Sequence, residues 1–443
     1  MNTELFLEKP VGKLFFHYLI PSICGTMVTS IYVLADTIII GKGIGLNALA
    51  ALNIILPLFN VFFGAGLLYG VGGSVLMSIS RGQQKEEQGN RYFTLALCLN
   101  ILTCLLFMVF FLNFKEEVMR FLGATEETMP YIMQYVPYIF WGLWAFSFSS
   151  FLQTFVRNDG APKLAMTAVV AGGIFNVVFD LIFVFPLHMG MGGAAFASVC
   201  GSALTVLILT THFFSKSNRL FLVWRGLSIR QVGRIYKNGF TSFLVEICSG
   251  ILMFVFNLQI LRYIGNIGVS MYGVISNVAI VVLCLCNGIN QAAQPILSVN
   301  FGAGRKDRIE KLKKLGILTS LVICSIPAVI GLISPNLFPY IFLDPPEELL
   351  RISVSAIRIY FTAFFVTGIN MFLIGYFQST LKAHFSLILC LLRGCLLGII
   401  LVYLLPPVLG VEGIWLSVPL AEFFTVILGF CFVKMTKNNK FEE

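Results

Sequence analysis

The sequence predicts an all-α polytopic membrane protein, with twelve transmembrane helices in two pseudo-symmetric six-helix lobes. Three observations carry this reading. Hydrophobic residues make up 58% of the chain and charged residues only 12%, a balance that a water-soluble domain of this length does not show. Continuously apolar runs recur along the whole sequence, each long enough to cross a hydrocarbon core of roughly 30 Å. Membrane β-strands would be short and alternating instead. Finally, related blocks of sequence recur 220 positions apart.

The first half holds runs at 14–41, 47–80, 91–113, 129–156, 162–187 and 190–215. The second holds runs at 232–262, 267–301, 309–334, 349–381, 384–407 and 410–433. The opening run is too long for a signal-peptide core, contains Asp36 and has no small-residue cleavage site, so it is expected to remain as a span. Pro21 inside it removes one backbone hydrogen bond and allows the helix to bend. Span two ends in Met77-Ser78-Ile79-Ser80-Arg81-Gly82, and span eight ends in Leu297-Ser298-Val299-Asn300-Phe301-Gly302. Gly190-Met191-Gly192-Gly193-Ala194-Ala195 opens span six, and Gly410-Val411-Glu412-Gly413-Ile414-Trp415 opens span twelve at the same offset. The loops at Pro186 and Pro406 match as well. The expected organisation is an N-terminal lobe over 1–215, a basic cytoplasmic linker over 216–237 and a C-terminal lobe over 238–443. An even number of spans per half makes the repeats parallel, related by an axis along the membrane normal, with the substrate route between the halves.

The net charge of +9 has a topological source rather than a nucleic-acid partner. Lys216, Arg219, Arg225, Arg230, Arg234 and Lys237 cluster after span six. Arg305, Lys306, Arg308, Lys311, Lys313 and Lys314 cluster after span eight, and Lys434, Lys437 and Lys440 follow span twelve. The opposite side keeps only Lys42, Lys115, Arg120, Arg262, Arg351 and Arg358. This asymmetry places both termini in the cytoplasm of a multi-pass protein of the cell membrane, its basic rim touching anionic lipid.

Other chemistries find little support. The 11 cysteines all lie in apolar spans without a CxxC pair and read as buried free thiols. His17, His188, His212 and His384 lie far apart and show no metal-ligand spacing. Gly302-Ala303-Gly304-Arg305-Lys306 lacks the spacing and the Ser/Thr of a nucleotide-binding loop and reads as a tight turn. No cofactor is expected, and no enzyme activity.

The carboxylates inside the spans carry the chemistry. A charged side chain at mid-membrane costs roughly 2.5–3.5 kcal/mol even on the lenient scale, so such a group is functional by default. Asp36 lies about 9 Å along the helix from Lys42, and Asp180 about 9 Å from Pro186. Ser198 lies about 12 Å into span six, and Asn176 is one turn from Asp180 on the same helix face. These four side chains can meet in the first lobe. Two acids at one site share a proton more readily than they ionise together. Alternatively, the same oxygens ligate a small hard cation, a Na+ ion at Asp36 and Asp180. A buried network that only fixes helix packing is the bland reading. In the second half, Arg393 lies about 16 Å from Lys382 and Glu422 about 18 Å from Gly410, matched depths that suggest a structural ion pair. Glu246 on span seven has no cation at its own depth and is the candidate to attract a cationic substrate or hold a second proton. Aromatic and Met residues are dense, with Phe59, Phe62, Phe63, Tyr69, Phe146, Phe148, Met253, Phe254, Phe256, Tyr376 and Phe377 on spans two, four, seven and ten; most fill helix or lipid contacts, and a subset lining a cleft would stack flat cations.

These residues also carry a resemblance. Pro21 and Asp36 on span one, followed by Ile44-Gly45-Leu46-Asn47-Ala48-Leu49-Ala50-Ala51, resemble the opening of the multidrug and toxic compound extrusion (MATE) family, bacterial type. So do Arg157-Asn158-Asp159-Gly160-Ala161-Pro162, the pair Asn176 and Asp180, and Asn300-Phe301-Gly302-Ala303-Gly304-Arg305. The resemblance covers essentially the whole chain. It implies a V-shaped pair of six-helix lobes and antiport of hydrophobic, often cationic drugs or metabolites against H+ or Na+. It also implies that Asp36, Asn176 and Asp180 form the first-lobe cation site, and that Glu246 matches a span-seven glutamate of the family. Span ten lacks the acid that some branches place there. The partners expected are a small organic substrate and the lipid bilayer, with the protein a monomer. A lipid-linked oligosaccharide flippase of the same superfamily is the alternative.

Overall fold

The computed structural model describes residues 3–342 and 347–438; Lys440 of the basic tail lies outside them. Among the described residues there are helices and loops but no strand. A short α1 (Thr3–Glu8) precedes α2 (Val11–Gly43), which runs unbroken through Pro21. Next come α3 (Leu46–Gly82), α4 (Glu86–Asn113) and a short α5 (Lys115–Phe121). The fourth expected span is two helices, α6 (Met129–Trp141) and α7 (Leu143–Asn158), bent by 50°. Pro137 has no N–H for the turn before it. A side chain at Gly142 would strike Val199, so the break lets the chain pass close to its neighbour. Then α8 (Pro162–Val184) and α9 (Gly190–Thr210) complete the first six spans, α9 closing in a 3-10 turn over Thr211–Phe214.

The second six spans follow as α10 (Ile229–Tyr263), α11 (Asn266–Gly302), α12 (Lys306–Ile333) and a short α13 (Leu337–Phe342). Next, α14 (Glu347–Phe361) and α15 (Phe364–Ser379) make one span. In the eleventh span, α16 (Ala383–Leu391) passes through a π-helical turn at Leu392–Leu396 into α17 (Leu397–Leu404) and α18 (Pro406–Leu409), before α19 (Val411–Asn438). Among the described residues 11 helices are long and apolar enough to cross a membrane, and counting the bent pair as one gives 12. The chain is thus a multi-pass membrane protein.

The 220-residue repeat is written into the backbone. Left-handed φ angles recur at Gly45 (121°) and Gly265 (82°), at Gln84 (62°) and Gly304 (67°), and at Gly190 (58°) and Gly410 (60°). Each pair sits at a tight connection between spans, where the chain must reverse, and glycine, which adopts that conformation at no steric cost, fills five of the six positions.

Two compact units divide the chain, Met1–Ile247 with Ser298–Lys306, and Cys248–Leu297 with Asp307–Glu443. Within the first, Phe62, Phe111 and Phe140 pack α3, α4 and α6 together, the last two rings stacked 5.0 Å apart. Phe62 and Phe146 are fully enclosed there, as are Phe256 and Phe377 in the second unit, so these four rings fill helix contacts. The stretch after α9 is pinned rather than loose. Asp159, at the end of α7, accepts from Arg81 Nη1 at 2.5 Å, His212 Nε2 at 2.6 Å and the Arg219 backbone N–H at 3.0 Å. Arg81 Nη2 returns a bond to the Arg219 carbonyl at 3.0 Å, and Arg219 pairs with Glu86. Burial, and then the neighbouring Arg81, lower the Arg219 guanidinium from its ordinary value. The Val223 N–H donates to Thr94 Oγ1 at 2.9 Å, and Leu220 is buried. Helix α10 begins at Ile229, so the basic stretch 216–237 is already helical from 229 onward.

Candidate cation site in the first unit

The site is built by glycines on α8. Gly172 and Gly173 are adjacent and so face different neighbours. A Cβ on Gly172 would lie 2.6 Å from the Gly201 carbonyl oxygen of α9 and would also collide with Thr205. A Cβ on Gly173 would lie 3.0 Å from the Tyr32 ring and 3.1 Å from Val28 Cγ1 of α2. With no side chains at these points, α8 lies close against both helices, as small residues permit in membranes. The Thr205 hydroxyl bonds the Ala168 carbonyl at 3.2 Å across the α8–α9 contact.

The helical repeat then aligns the polar groups. Asp36 follows Val28 and Tyr32 at intervals of four on the α2 stripe that meets α8. Asn176 and Asp180 continue the glycine face of α8 by one and two turns. Ser198 precedes Gly201 on α9, one turn from the same contact. Asn176 Nδ2 donates to Ser198 Oγ at 3.1 Å. The Asp36 and Asp180 carboxyls are neighbours, near enough for each to feel the other's charge. The structure therefore brings Asp36, Asn176, Asp180 and Ser198 together.

One member is absent from the sequence reading. The Tyr135 hydroxyl on α6 lies beside Ser198 and near both carboxyls, and its side chain is fully buried. Helix α6 reaches that place because Gly192 of α9 leaves room for it, with Tyr138 3.1 Å from where a Cβ would stand. A tyrosine on an apolar span is ordinary, so only this contact singles it out.

The electrostatics of the cluster are lopsided. Asp36 Oδ1, Asn176 Oδ1, both oxygens of Asp180 and the Tyr135 hydroxyl are buried and receive no closed hydrogen bond among the described residues. Leaving such a group unsatisfied costs about 1–3 kcal/mol each. The one side-chain amide among these residues turns its nitrogen to Ser198 rather than to a carboxyl. These are hard oxygen acceptors converging without a protein cation, the donor set that suits a proton or a small hard cation. No group of three or more His, Cys, Asp or Glu side chains arranged for a metal ion occurs among the described residues.

The remaining sequence-derived residues lie elsewhere. Glu246 is half-buried on α10, one residue before the boundary of the first unit, its Cβ 3.7 Å from where a side chain on Gly64 of α3 would begin. It makes no ion pair among the described residues and is not part of the Asp36–Asp180 cluster. In the second unit Arg393 Nε bonds Glu422 Oε1 at 2.7 Å.

Comparison with known proteins agrees with this architecture. The model of the MatE family matches residues 21–182 and 241–404, covering both halves. The chain is 23% identical over 435 residues to the multidrug export protein MepA of Staphylococcus haemolyticus (strain JCSC1435), covering 98% of this chain and 95% of that one. It is 23% identical over 442 residues to MepA of Staphylococcus aureus (strain MSSA476), covering 98% and 96%. A crystal structure of a MATE protein in the straight conformation superposes with a TM-score of 0.89 at 23% identity, over 98% of this chain and 97% of the other. With its two matched halves, its 220-residue repeat and its helical architecture, the chain belongs to the MatE family.

Proposed function

We propose that this protein is a cation-coupled antiporter, using H+ or Na+, that exports small, hydrophobic and often cationic organic compounds across the cell membrane by alternating access. In this reading it is a transporter and not an enzyme, works as a monomer and keeps both termini in the cytoplasm. The observation that carries it is the Asp36–Asp180 pair, in which Asp36 Oδ1 and both Asp180 oxygens are buried without a hydrogen-bond partner among the described residues. The names of the relatives support export of drug-like substrates.

A bound cation or proton supplies the positive charge that the two acids lack. The chain's own residues do the rest. Ser198 holds the Asn176 amide nitrogen, which leaves the Asn176 carbonyl oxygen free to turn toward the carboxyls. Tyr135 closes the cluster from α6. Helix α2 joins this site to Pro21, fifteen positions away, whose missing N–H frees one carbonyl and permits bending. Loss or gain of the charge at Asp36 would thus act on a helix able to change shape. An oligosaccharide flippase would call for a basic pocket for pyrophosphate, and this cluster is acidic.

The test is ethidium efflux from vesicles under an imposed pH or Na+ gradient. Asp36→Asn is expected to abolish gradient-driven efflux with expression intact. Efflux by this variant at the wild-type rate would overturn the proposal. Replacing Na+ by choline at fixed pH identifies the driving ion.

A further inference from the structure

The second repeat holds a polar cluster of its own, built at the corresponding helices but with opposite bookkeeping. At the 220-residue offset, Arg393 and Glu422 correspond to Gly173 and Ser202. These positions are one helical turn further from the Gly190 and Gly410 turns than Asn176 and Ser198. Spans ten, eleven and twelve therefore bring Asn370, Arg393 and Glu422 together, where spans four, five and six contribute Tyr135, Asn176, Asp180 and Ser198 to the first-unit site. Every oxygen of the second acid is occupied. Glu422 Oε1 accepts from Arg393 Nε at 2.7 Å, and Oε2 accepts from Asn370 Nδ2 at 2.6 Å. The same Asn370 nitrogen bonds the Glu422 backbone carbonyl at 2.8 Å, and Arg393 Nη1 reaches Met371 Sδ at 3.1 Å. Asp180, by contrast, has neither oxygen satisfied.

The backbone is altered where the arginine sits. Arg393 lies in the π-helical turn Leu392–Leu396, whereas α8, its counterpart, is a regular helix throughout. A π turn inserts a residue into a helix and is characteristic of sites where a side chain must be re-aimed. The titratable groups that face the pair from other elements are Cys286 on α11, Tyr360 on α14 and Cys390 on α16. None of them carries a second carboxylate.

We infer that Arg393 is a tethered cation: its guanidinium holds beside Glu422 the role that a mobile ion takes beside Asp36 and Asp180. The cluster of the second repeat is then a fixed charge pair, and of the two clusters only that of the first unit takes a mobile cation. This rests on the proposed coupling role of Asp36. It explains why one repeat keeps its acids open and the other closes its acid with an arginine and an asparagine.

The experiment measures the thermal unfolding midpoint of the purified full chain, comparing Na+ with choline at fixed pH and then stepping pH at fixed salt. The inference expects Asp36→Asn to lose the cation-dependent shift of the wild type, while Glu422→Gln keeps it in full. Placing Arg393→Ala on the Asp36→Asn background should create a new cation-dependent shift that adding Glu422→Gln removes. Guanidinium at low concentration should raise the midpoint of that Arg393→Ala variant and lower that of its parent, which a merely structural brace would not do. Should the Arg393→Ala variant fail to fold, the conservative variants still decide. An Asp36→Asn protein that keeps part of the shift, with that part lost on adding Glu422→Gln, overturns the tethered-cation inference. An Asp36→Asn protein that keeps the whole shift, unaffected by Glu422→Gln, overturns the coupling role of Asp36 instead.

Discussion

Replacing Gly172 by alanine would place one methyl group in the closest part of the α8–α9 contact. Its carbon would stand 2.6 Å from the Gly201 carbonyl oxygen and against Thr205. A backbone oxygen cannot rotate away, so the helices must separate. Overpacking of this kind costs about 1–3 kcal/mol, while alanine returns about 1 kcal/mol of helix propensity over glycine. Gly273→Ala, in the interior of α11, supplies the control, since a Cβ there meets nothing within 4 Å. The difference between the two variants cancels propensity and leaves a steric effect of about 1–3 kcal/mol. Because Asn176 and Asp180 continue the same helix face, strain at Gly172 is relayed to the cluster. If 1.4 kcal/mol of it falls on ion binding, affinity drops about tenfold. The assay pairs unfolding midpoints with gradient-driven ethidium efflux. Gly172→Ala matching Gly273→Ala in both would refute the argument that this glycine sets the spacing of the site.

Three further outcomes follow from the geometry. Asp159→Ala should destabilise the protein by about 3–5 kcal/mol, since it strands the buried Arg81 guanidinium. It should also expose residues 215–228 to limited proteolysis, and an uncut chain with an unchanged midpoint would contradict the pinning described. Tyr135→Phe removes a buried hydroxyl with no closed hydrogen bond, so stability should hold or rise slightly while cation-driven efflux falls. Loss of stability without loss of coupling would make Tyr135 a packing residue. Thr94→Val should cost about 1 kcal/mol by leaving the Val223 N–H without its acceptor, read as faster hydrogen exchange at Val223.

The spans were legible because each must be apolar for about 20 residues whatever it packs against. Their interruptions were not. The break between α6 and α7 depends on Gly142 meeting Val199, fifty-seven positions away, and the π turn around Arg393 leaves no mark in hydropathy. The first-unit site was legible in part because an acid in an apolar span carries a cost that singles it out. Asp36 and Asp180 stand out this way, Asn176 and Ser198 were reached from them by helical spacing and depth, and the four are brought together. Tyr135 carries no such cost, nor does Asn370, the second donor to Glu422. Polar residues that are affordable in a span are visible only through the helix contacts that deliver them. Glu246 shows the converse. Its charge was conspicuous, yet the boundary between the compact units leaves it on the side of the first.

The two repeats separate what is inherited by the backbone from what is set by individual side chains. Three pairs of left-handed turns persist at the 220-residue spacing, because each closes a connection that any copy of the fold must make. The chemistry between those turns has diverged. On α8 the position matching Arg393 is Gly173, and that glycine lets α2 come close enough to face Asp36 toward Asp180. In the second repeat an arginine stands there, and the position matching Asp36 is Phe256, a buried ring stacked on Tyr272 at 5.8 Å. One exchange of a small residue for a cationic one thus coincides with the loss of the acid it would have faced. A glycine at this position makes room for a second helix and its carboxylate, whereas an arginine both fills the space and neutralises the acid that remains.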